Sequence, residues 1–256
     1  KPVNAALRGV DVLAAVNKLK GRATIGELHR ETSLDKATIV RMLETLMHAG
    51  FVVRDEQHTA YEVTGKTLLL CSGYDRHRAV GRIVGPIIAA FRNRFGWPSD
   101  VAIFDHDAMV LIETSRDAGS ILVNRLPGYR APMLGTSLGL AYLAFASAEE
   151  REEVLDRVTA TPAVWNEIAR DRAKAEDYLA GIRDQGYATM HDEYSEYGRR
   201  ISTIGVPILV GGRSVAAMNV LYLKSALPVA EALTTMVAPL KACADEIAGA
   251  LTAGPG

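Results

Sequence analysis

Three side chains that can bind DNA lie close together in the stretch DKATIVRMLETLMHAG, which begins at Asp35. They are Lys36, Thr38 and Arg41. An arginine guanidinium can donate two hydrogen bonds to guanine, and lysine and threonine side chains can contact bases or phosphates. Because the same residue types are common on solvated surfaces, the elements that carry them must decide between the two interpretations.

Motifs for catalysis or metal binding are missing from the sequence. No GxGxxG, GxxxxGK[ST], CxxC or HExxH is present. His106 lies between Asp105 and Asp107, but alternate residues of a strand face opposite sides, so a turn between two strands is the better interpretation. Ser137 in LGTSLG lacks the G-x-S-x-G spacing of a hydrolase nucleophile. We therefore expect no enzyme, with no catalytic residue, no metal site and no cofactor.

A second candidate binding site lies at the start of the predicted helix SLGLAYLAF. Thr136 is a suitable N-cap, and the free N–H groups of the first helical turn can bind a carboxylate. The alternative is structural, with Thr136 capping the helix and the neighbouring glycines allowing tight packing. The stretch by itself favours the structural alternative.

The composition predicts a soluble globular protein with room for two modest domains. The chain has 256 residues, of which 48% are hydrophobic and 23% charged, and a formal net charge of −1. No apolar run is long enough to cross a bilayer, so we expect no membrane segment. Cys71 and Cys243 are far apart and are predicted to be buried free thiols in a reducing cytoplasm.

The elements before residue 65 follow the order of a winged helix-turn-helix. Residues 5–20 predict an amphipathic helix, and Thr24 is a suitable N-cap for the short helix IGELHRET. Asp35 is a suitable N-cap for the next helix, which ends at Gly50, and FVVRD and AYEVT predict a hairpin. The apolar face of the first helix comprises Leu7, Val10, Leu13, Ala14 and Val16.

The second helix of this unit would present its early turns to the major groove of DNA. Leu34, Ile39, Met42, Leu43 and Leu46 are predicted to face the core. The other side carries the predicted DNA contacts Lys36, Ala37, Thr38, Arg41 and Thr45. Arg54 and His58, on the hairpin, are expected to reach the flanking backbone, and Thr24, at the start of the short helix, is a further predicted DNA contact.

The remainder of the chain predicts an α+β domain. Residues 64–96 contain Gly73, Gly81, Gly85 and Pro86 and predict two helices or one kinked helix. After residue 100, three strand-like stretches (VAIFD, MVLIET and ILVNRL) precede three helical ones, the last being NEIARDRAKAEDYLAGIRDQG. Three further strands (YATMH, ISTIGVPILV and SVAAMNVLYL) and a final amphipathic helix follow, which indicates an antiparallel sheet covered by helices.

Four stretches, LRGVDVLAAV, TIGELHRETSLDKATIVRMLETLMHAGFV, PMLGTSLGLAYLAF and ISTIGVPILVGGRSVAAMNVLYL, together resemble the IclR family of bacterial transcription regulators. The resemblance extends from about residue 5 to residue 251. WPSDVAIFDHDAMVLIET and LYLKSAL look closer to family members that control aromatic-acid catabolism, such as the degradation of hydroxyphenylpropionate.

The resemblance implies a winged helix-turn-helix over residues 1–64, a linker helix over 65–78 and a GAF-like effector-binding domain over 79–251. Residues 252–256 are expected to form a disordered tail. The resemblance also implies dimers that pair mainly through the DNA-binding domains and often assemble into tetramers through the effector domains. Such an oligomer would bind a palindromic double-stranded operator, and a small organic acid would modulate repression or activation.

The family's effector pocket corresponds to three places in this sequence. They are the helix start at Thr136, Ser137 and Leu138, the strand with Thr203, where many relatives have cysteine, and the last strand, where Asn219 and Leu221 replace serines. Leucine in place of serine makes the pocket more apolar, which favours a larger, ring-bearing acid over glyoxylate. Leu122 and Met133 are expected to form part of the apolar wall of the pocket. Met218 and Tyr222 are expected to point to the other face of the sheet, since alternate residues of a strand face opposite sides.

Several alternatives to an aromatic-acid regulator remain open. The effector can be a small aliphatic acid such as glyoxylate or pyruvate, or the protein can be a ligand-free regulator that acts by oligomerisation. A further alternative is an enzyme or ligand-binding module whose winged helix contacts only protein.

Overall fold

The computed structural model describes residues 1–55, 57–71, 75–115, 127–194 and 200–253. The chain divides into two compact units, Lys1–Asp75 and Arg76–Gly256. Over the described residues, no helix is both long enough and apolar enough to span a membrane.

The first unit has the predicted winged helix-turn-helix order. Its elements are α1 (Asn4–Lys18), β1 (Arg22–Ala23), α2 (Ile25–Thr32), α3 (Lys36–His48), β2 (Val52–Asp55), β3 (Ala60–Val63) and a 3-10 helix (Gly65–Cys71). The three strands form an antiparallel sheet in the order β1-β3-β2. The hairpin of β2 and β3 is confirmed, but β1 was not predicted, because two residues are too short to show an alternating pattern.

Local hydrogen bonds fix the ends of α2 and α3. The Thr24 hydroxyl accepts a bond from the Glu27 amide, and the Glu27 carboxylate accepts one from the Thr24 amide, which completes a capping box. Asp35 caps α3 by accepting from the Thr38 amide at 2.8 Å. Ser33 has a left-handed backbone (φ 57°), which allows the tight turn between the two helices.

The apolar face of α1 differs from the prediction. Leu13 and Val16 are buried, but Leu7 and Val10 are 53% and 66% exposed, and Ala14 is also exposed. The helix instead buries Val12 and Ala15 against the core of the unit. The predicted inward residues of α3 are confirmed, since they are buried or pack against the same core: Leu34, Ile39, Met42, Leu43 and Leu46.

The prediction that both cysteines are buried is wrong for one of them. Cys243 is buried, whereas Cys71 is exposed at the end of the 3-10 helix. Leu68, Leu69 and Leu70 in that helix are each more than 60% exposed, so this short segment does not enter the core of its unit. Burial raises the pKa of the Cys243 thiol to about 12.

The second unit is an antiparallel sheet covered by helices on both faces. Its helices are α4 (Asp75–Phe95), α5 (Ser137–Ala144), α6 (Ala148–Thr159), α7 (Arg172–Gln185) and α8 (Val229–Ala253), with a 3-10 helix at Val164–Arg170. Its strands are β4 (Ser99–Asp105), β5 (Ala108–Thr114), β6 (Arg130–Pro132), β7 (Ala188–Thr189), β8 (Ile201–Val210) and β9 (Arg213–Leu223). The strand order is β6-β5-β4-β9-β8-β7, and every neighbouring pair is antiparallel.

Two hydrophobic clusters cover the two faces of this sheet. One contains α5, α6 and α7 together with Ala102 and Ala217 of the central strands. The other contains α4 and α8 together with Met218 and Tyr222 of β9. Neighbouring residues of one strand thus point into different clusters, as the period of two requires.

The described part of residues 64–96 contains two helical segments, the 3-10 helix and α4, which agrees with one of the two predicted arrangements. The helix α4 continues through Gly81, Gly85 and Pro86, and the two glycines accommodate the nearby Glu113 side chain. The next predicted helix needs a correction. NEIARDRAKAEDYLAGIRDQG is divided rather than one helix, because Asp171 accepts a bond from the Lys174 amide and begins α7 after the 3-10 helix.

Two further predictions concern the ends of described segments. The helix α8 continues through Ala253, so the first two residues of the expected disordered tail are helical. The predicted strand ILVNRL lies outside the described residues, and β6 follows it without having been predicted. Of residues 65–78, the expected linker helix, the described ones belong to the 3-10 helix and to the start of α4.

Candidate DNA-binding surface and effector site

The early turns of α3 present polar side chains to solvent. Lys36, Ala37, Arg41 and Thr45 are exposed, and Thr38 is partly exposed. Over the described residues, the side chains of Lys36 and Arg41 have no ion-pair or hydrogen-bond partner, so both cations are available to a ligand. The exposed alanine leaves space beside them for a close approach of a base edge.

Local bonds limit what the three threonines of this surface can do. The Thr38 hydroxyl donates to Asp35 at 2.7 Å, and the Thr24 hydroxyl donates to Glu27 at 2.7 Å. Thr45 donates to the carbonyl oxygen of Arg41 at 2.9 Å. Each hydroxyl therefore keeps acceptor capacity but has already used its proton. The bonds from Thr38 lower the pKa of Asp35, so a carboxylate remains at this end of α3.

The wing carries a mixed charge pattern. Arg54 is exposed and, in the described part of the chain, unpaired. The Nδ1 atom of His58 lies 2.8 Å from an Asp55 carboxylate oxygen, which also accepts a bond from Arg22 at 2.6 Å. The bond with His58 is the main cause that lowers the pKa of Asp55. Of the two predicted wing contacts, Arg54 is thus the better placed to meet a phosphate.

A cluster of buried polar residues lies on the α5 side of the second sheet. Buried polar groups are costly unless they are hydrogen-bonded, so a cluster of them indicates a built site. Five of the nine buried polar residues in the described ranges are in it: Asp100, Thr136, Ser137, Thr203 and Asn219. We refer to these five residues as the polar cluster.

The start of α5 approaches the sheet very closely. A Cβ atom at Gly205 would lie 2.4 Å from the Ser137 carbonyl oxygen, and one at Gly139 would lie 2.2 Å from the Met133 carbonyl oxygen. Only glycine permits these contacts. Thr136 caps the helix by accepting from the Gly139 amide at 3.1 Å. The structural role predicted for this stretch is thus confirmed.

The same close approach leaves buried donors at the helix start. Over the described residues, the amides of Ser137 and Leu138 have no hydrogen-bond acceptor, although both residues are at most 1% exposed. The Ser137 and Thr203 hydroxyls are 2.7 Å apart. A buried helix N-terminus of this kind favours an anion.

Strands β8 and β9 bring the other predicted effector residues onto this face. Thr203 lies opposite Leu221, and Gly205 lies opposite Asn219. The Asn219 side-chain oxygen accepts a bond from the Asp100 amide at 3.1 Å, which orients its NH₂ group away from that strand. In the described part of the molecule this NH₂ group has no acceptor, so it is a further donor at the site.

Asp100 was not among the predicted site residues. It is 1% exposed, lies opposite Asn219, and accepts a bond from the Thr114 hydroxyl at 2.8 Å. The sequence does contain a signal, because Asp100 is a charged residue directly before the apolar run VAIF of the predicted strand. Because alternate residues of a strand face opposite sides, Asp100 lies on the same face of the sheet as Asn219, and not on the face covered by α8.

The predicted apolar wall residues have different positions. Met133 and Leu138 are buried in the hydrophobic cluster around α5. Leu122 lies outside the described residues. Met218 and Tyr222 lie in the α8 cluster, which agrees with the alternation expected from the sequence.

The Asp105–His106–Asp107 sequence forms the predicted turn between β4 and β5. His106 has a left-handed backbone (φ 59°), and Arg130 forms ion pairs with both carboxylates. Among the described residues, no group of three or more histidine, cysteine or acidic side chains could hold a metal ion. The carboxylates of this turn therefore bind an arginine.

Comparison with protein families assigns both units. A model described as the IclR helix-turn-helix domain matches residues 5–56. A second model, described as bacterial transcriptional regulator IclR C-terminal, matches residues 75–249.

Individual relatives agree with this assignment. The HTH-type transcriptional regulator TsaQ1/TsaQ2 of Comamonas testosteroni is 28% identical over 158 residues, and the match spans 60% of this chain and 56% of that protein. The Pca regulon regulatory protein of Pseudomonas putida is 26% identical over 215 residues, which are 83% of this chain and 72% of that protein.

A solved structure supports the fold over the whole chain. The crystal structure of an IclR homolog from Microbacterium hydrocarbonoxydans, complexed with 4-hydroxybenzoate, matches with a TM-score of 0.66 at 22% identity. The match covers 98% of this chain and 100% of that one. At this identity the likeness shows a shared fold.

Proposed function

The chain belongs to the IclR family of bacterial transcriptional regulators, and we propose that it binds operator DNA as a homodimer and responds to a small aromatic acid. The family and the curated relatives are transcriptional regulators and not enzymes. The proposal assigns DNA contact to the first unit and effector binding to the second.

The surface of α3 supports DNA contact. In a helix-turn-helix, the N-terminal part of the second helix enters the major groove. Arg41 is exposed, unpaired over the described residues, and able to form two hydrogen bonds with guanine. Lys36 and Arg54 would neutralise phosphates, which makes the affinity depend on salt. The further expected contacts are Thr24, Ala37, Thr38, Thr45 and His58.

An exposed apolar stripe on α1 supports dimerisation. Leu7, Val10 and Ala14 recur at spacings of three and four residues and thus share one face of the helix. Val3, the N-cap residue just before α1, is also 68% exposed. A second copy of the chain would cover this stripe, and a two-fold dimer matches a palindromic operator. Tetramers through the second unit remain part of the proposal.

The single observation that carries the aromatic assignment is Leu221. It lies opposite Thr203 beside the polar cluster, so the site combines buried donors for a carboxylate with an apolar surface. An apolar pocket with a few placed polar groups suits a ring-bearing acid. The 4-hydroxybenzoate complex of the Microbacterium homolog supports the same ligand class, because that protein shares the fold.

A thermal-shift screen tests the proposal. The purified chain is heated with benzoate, hydroxybenzoates, phenylpropionates, glyoxylate, pyruvate and acetate, each at matched concentration. An acid at 100 times its Kd adds about 2.7 kcal/mol to the free energy of unfolding, which raises the melting temperature measurably. We expect the largest shifts with the aromatic acids.

The other outcomes favour specific alternatives. Shifts with only glyoxylate or pyruvate would overturn the aromatic assignment and favour a regulator of aliphatic-acid metabolism. The absence of any shift would favour a ligand-free regulator that acts through oligomerisation.

A further inference from the structure

The C-terminal end of α3 is bound by the chain that follows the wing. The last carbonyl groups of a helix have no partner within it and need donors from elsewhere. At the end of α3, the amides of Gly50 and Phe51 donate to the carbonyl oxygens of Met47 and Leu46, each at 2.9 Å. The next two carbonyl groups, those of Ala49 and Gly50, accept bonds from side chains instead.

These two side chains lie at the start of the 3-10 helix that follows β3. The Thr64 hydroxyl donates to the Gly50 carbonyl oxygen at 2.6 Å. The Lys66 ammonium donates to the Ala49 carbonyl oxygen at 2.8 Å and lies 5.2 Å from the centre of the Phe51 ring. A cation is favourable at a helix C-terminus because of the helix dipole, and the face of an aromatic ring attracts it further.

The same 3-10 helix leads along the chain towards the second unit. Its later residues Leu68, Leu69 and Leu70 are each more than 60% exposed, so apolar packing contributes little to holding it. The polar contacts of Thr64 and Lys66 therefore connect the chain that leaves the first unit with the helix proposed to read bases.

We propose that Lys66 is a positioning residue for operator recognition, because it fixes the C-terminal end of α3 relative to the chain that follows the wing. This inference rests on the proposed function and adds a residue that itself contacts no base. Two hydrogen bonds from Arg41 to one guanine require a defined position of α3. A loosened helix end would weaken base reading but not the attraction to phosphates, which does not depend on sequence.

Fluorescence anisotropy with two duplexes at several salt concentrations tests this inference. One duplex is selected from a randomised pool on the wild-type chain, and the other is a scrambled duplex of the same composition. Lys66→Met keeps an apolar stem but removes the cation, and it should weaken binding of the selected duplex about fivefold. Its affinity for the scrambled duplex and the salt dependence of binding should not change. Lys66→Arg should restore most of the loss, since a guanidinium can also donate to the Ala49 carbonyl oxygen.

Two further variants separate the contact with α3 from general loosening of the 3-10 helix. Thr64→Val removes the other side-chain bond to α3 and should reduce the preference for the selected duplex in the same direction. Thr67→Ala is the matched control, because the Thr67 hydroxyl donates at 2.8 Å to the Thr64 carbonyl oxygen within the same segment. The control should leave the preference unchanged, and circular dichroism verifies that every variant is folded at the assay temperature.

Several outcomes would overturn the inference. If Lys66→Met weakens both duplexes equally and the salt slope falls by about one, Lys66 binds a phosphate and does not position α3. An unchanged preference in Lys66→Met, or an equal loss in Lys66→Met and Thr67→Ala, would also overturn it.

Failure of the proposed function is distinguishable from failure of this inference. If the wild-type chain selects no duplex, the proposed function itself fails. Hydrogen exchange without DNA then tests the contact, since the amides of Gly50 and Phe51 should exchange about threefold faster in Lys66→Met than in the wild type. Equal exchange rates would show that Lys66 does not hold the end of α3.

Discussion

Thr203 and Leu221 lie directly opposite each other on β8 and β9, so a hydroxyl group and a branched apolar side chain face the same side of the sheet. The Thr203 hydroxyl is 2.7 Å from that of Ser137 at the start of α5. A donor-rich helix end and an apolar side chain thus meet at one site. This combination is the physical basis for our proposal that the second unit binds an aromatic acid.

Leu221→Ser should reduce the affinity for aromatic acids by about tenfold or more, because the ring would lose a buried apolar neighbour. The affinity for glyoxylate or pyruvate should stay equal or increase. Isothermal titration below the melting temperature measures both. Val215→Ser, at an exposed site in the same strand, is the control and should not alter either affinity. An unchanged aromatic affinity in Leu221→Ser would remove this residue from the site.

Arg41→Ala should weaken operator binding by about 1–3 kcal/mol and relax base preference at one position. The physical reason is the loss of a guanidinium that no described residue pairs. Fluorescence anisotropy with a labelled duplex and its single-base variants measures the effect. Glu44→Ala changes another exposed residue of α3 and should not relax the preference. An Arg41→Ala protein with unchanged preference would show that Arg41 does not read bases.

Replacing Leu7 and Val10 together by glutamate should dissociate the dimer, because charges would then occupy the exposed apolar stripe of α1. Size-exclusion chromatography with light scattering measures the mass, and circular dichroism verifies the fold. The double variant should also bind DNA more weakly, since two half-sites are no longer linked. Asp11→Ser on the same helix is the control. A dimer of unchanged stability in the double variant would place the interface elsewhere.

Gly205→Ala should destabilise the second unit by about 1–3 kcal/mol or more, because the added Cβ would lie 2.4 Å from the Ser137 carbonyl oxygen. Gly181→Ala in α7 is the matched control, since nothing lies within 4 Å of an added Cβ there. It should stabilise by about 0.5–1 kcal/mol, as alanine favours a helix interior. Chemical unfolding measures both. Equal stability of the two variants would contradict the close approach of α5.

Acid should weaken the first unit partly through Asp35. In the folded chain the pKa of this carboxyl lies below its ordinary value, mainly because the hydroxyl of Thr38 donates a hydrogen bond to it. A lowered pKa contributes stability above the unfolded value, and this contribution is lost as the pH falls through the folded value. Asp35→Asn keeps a capping side chain without titrating, so unfolding of this variant should depend less steeply on pH below about 4. Identical pH profiles for both proteins would contradict this role.

The helical elements of the first unit could be predicted because local signals agree there. Thr24, Asp35 and Gly50 mark helix ends by their own chemistry, and the spacing of Ile39 and Leu43 defines the buried face of α3. The exposed face of α1 could not be predicted in the same way. An apolar residue at helical spacing, such as Val10, looks the same whether it packs inside the unit or is left exposed.

The candidate effector site was only partly predictable. The alternation of side chains along a strand correctly placed Asn219 and Leu221 on one face of the sheet and Met218 on the other. The closeness of Ser137 to Gly205 depends on residues far apart in the chain, which no local pattern contains. Asp100 was missed because its significance comes from burial and from its partner strand.

The most direct test of the whole account is operator binding measured with and without 4-hydroxybenzoate. A pool of duplexes with a randomised central segment is first selected on the full chain, and the recovered duplex is then titrated by fluorescence anisotropy. We expect a palindromic duplex, an affinity that falls with salt, and a change in apparent affinity when the acid is added. A recovered duplex whose affinity is identical with and without each aromatic acid would contradict the account.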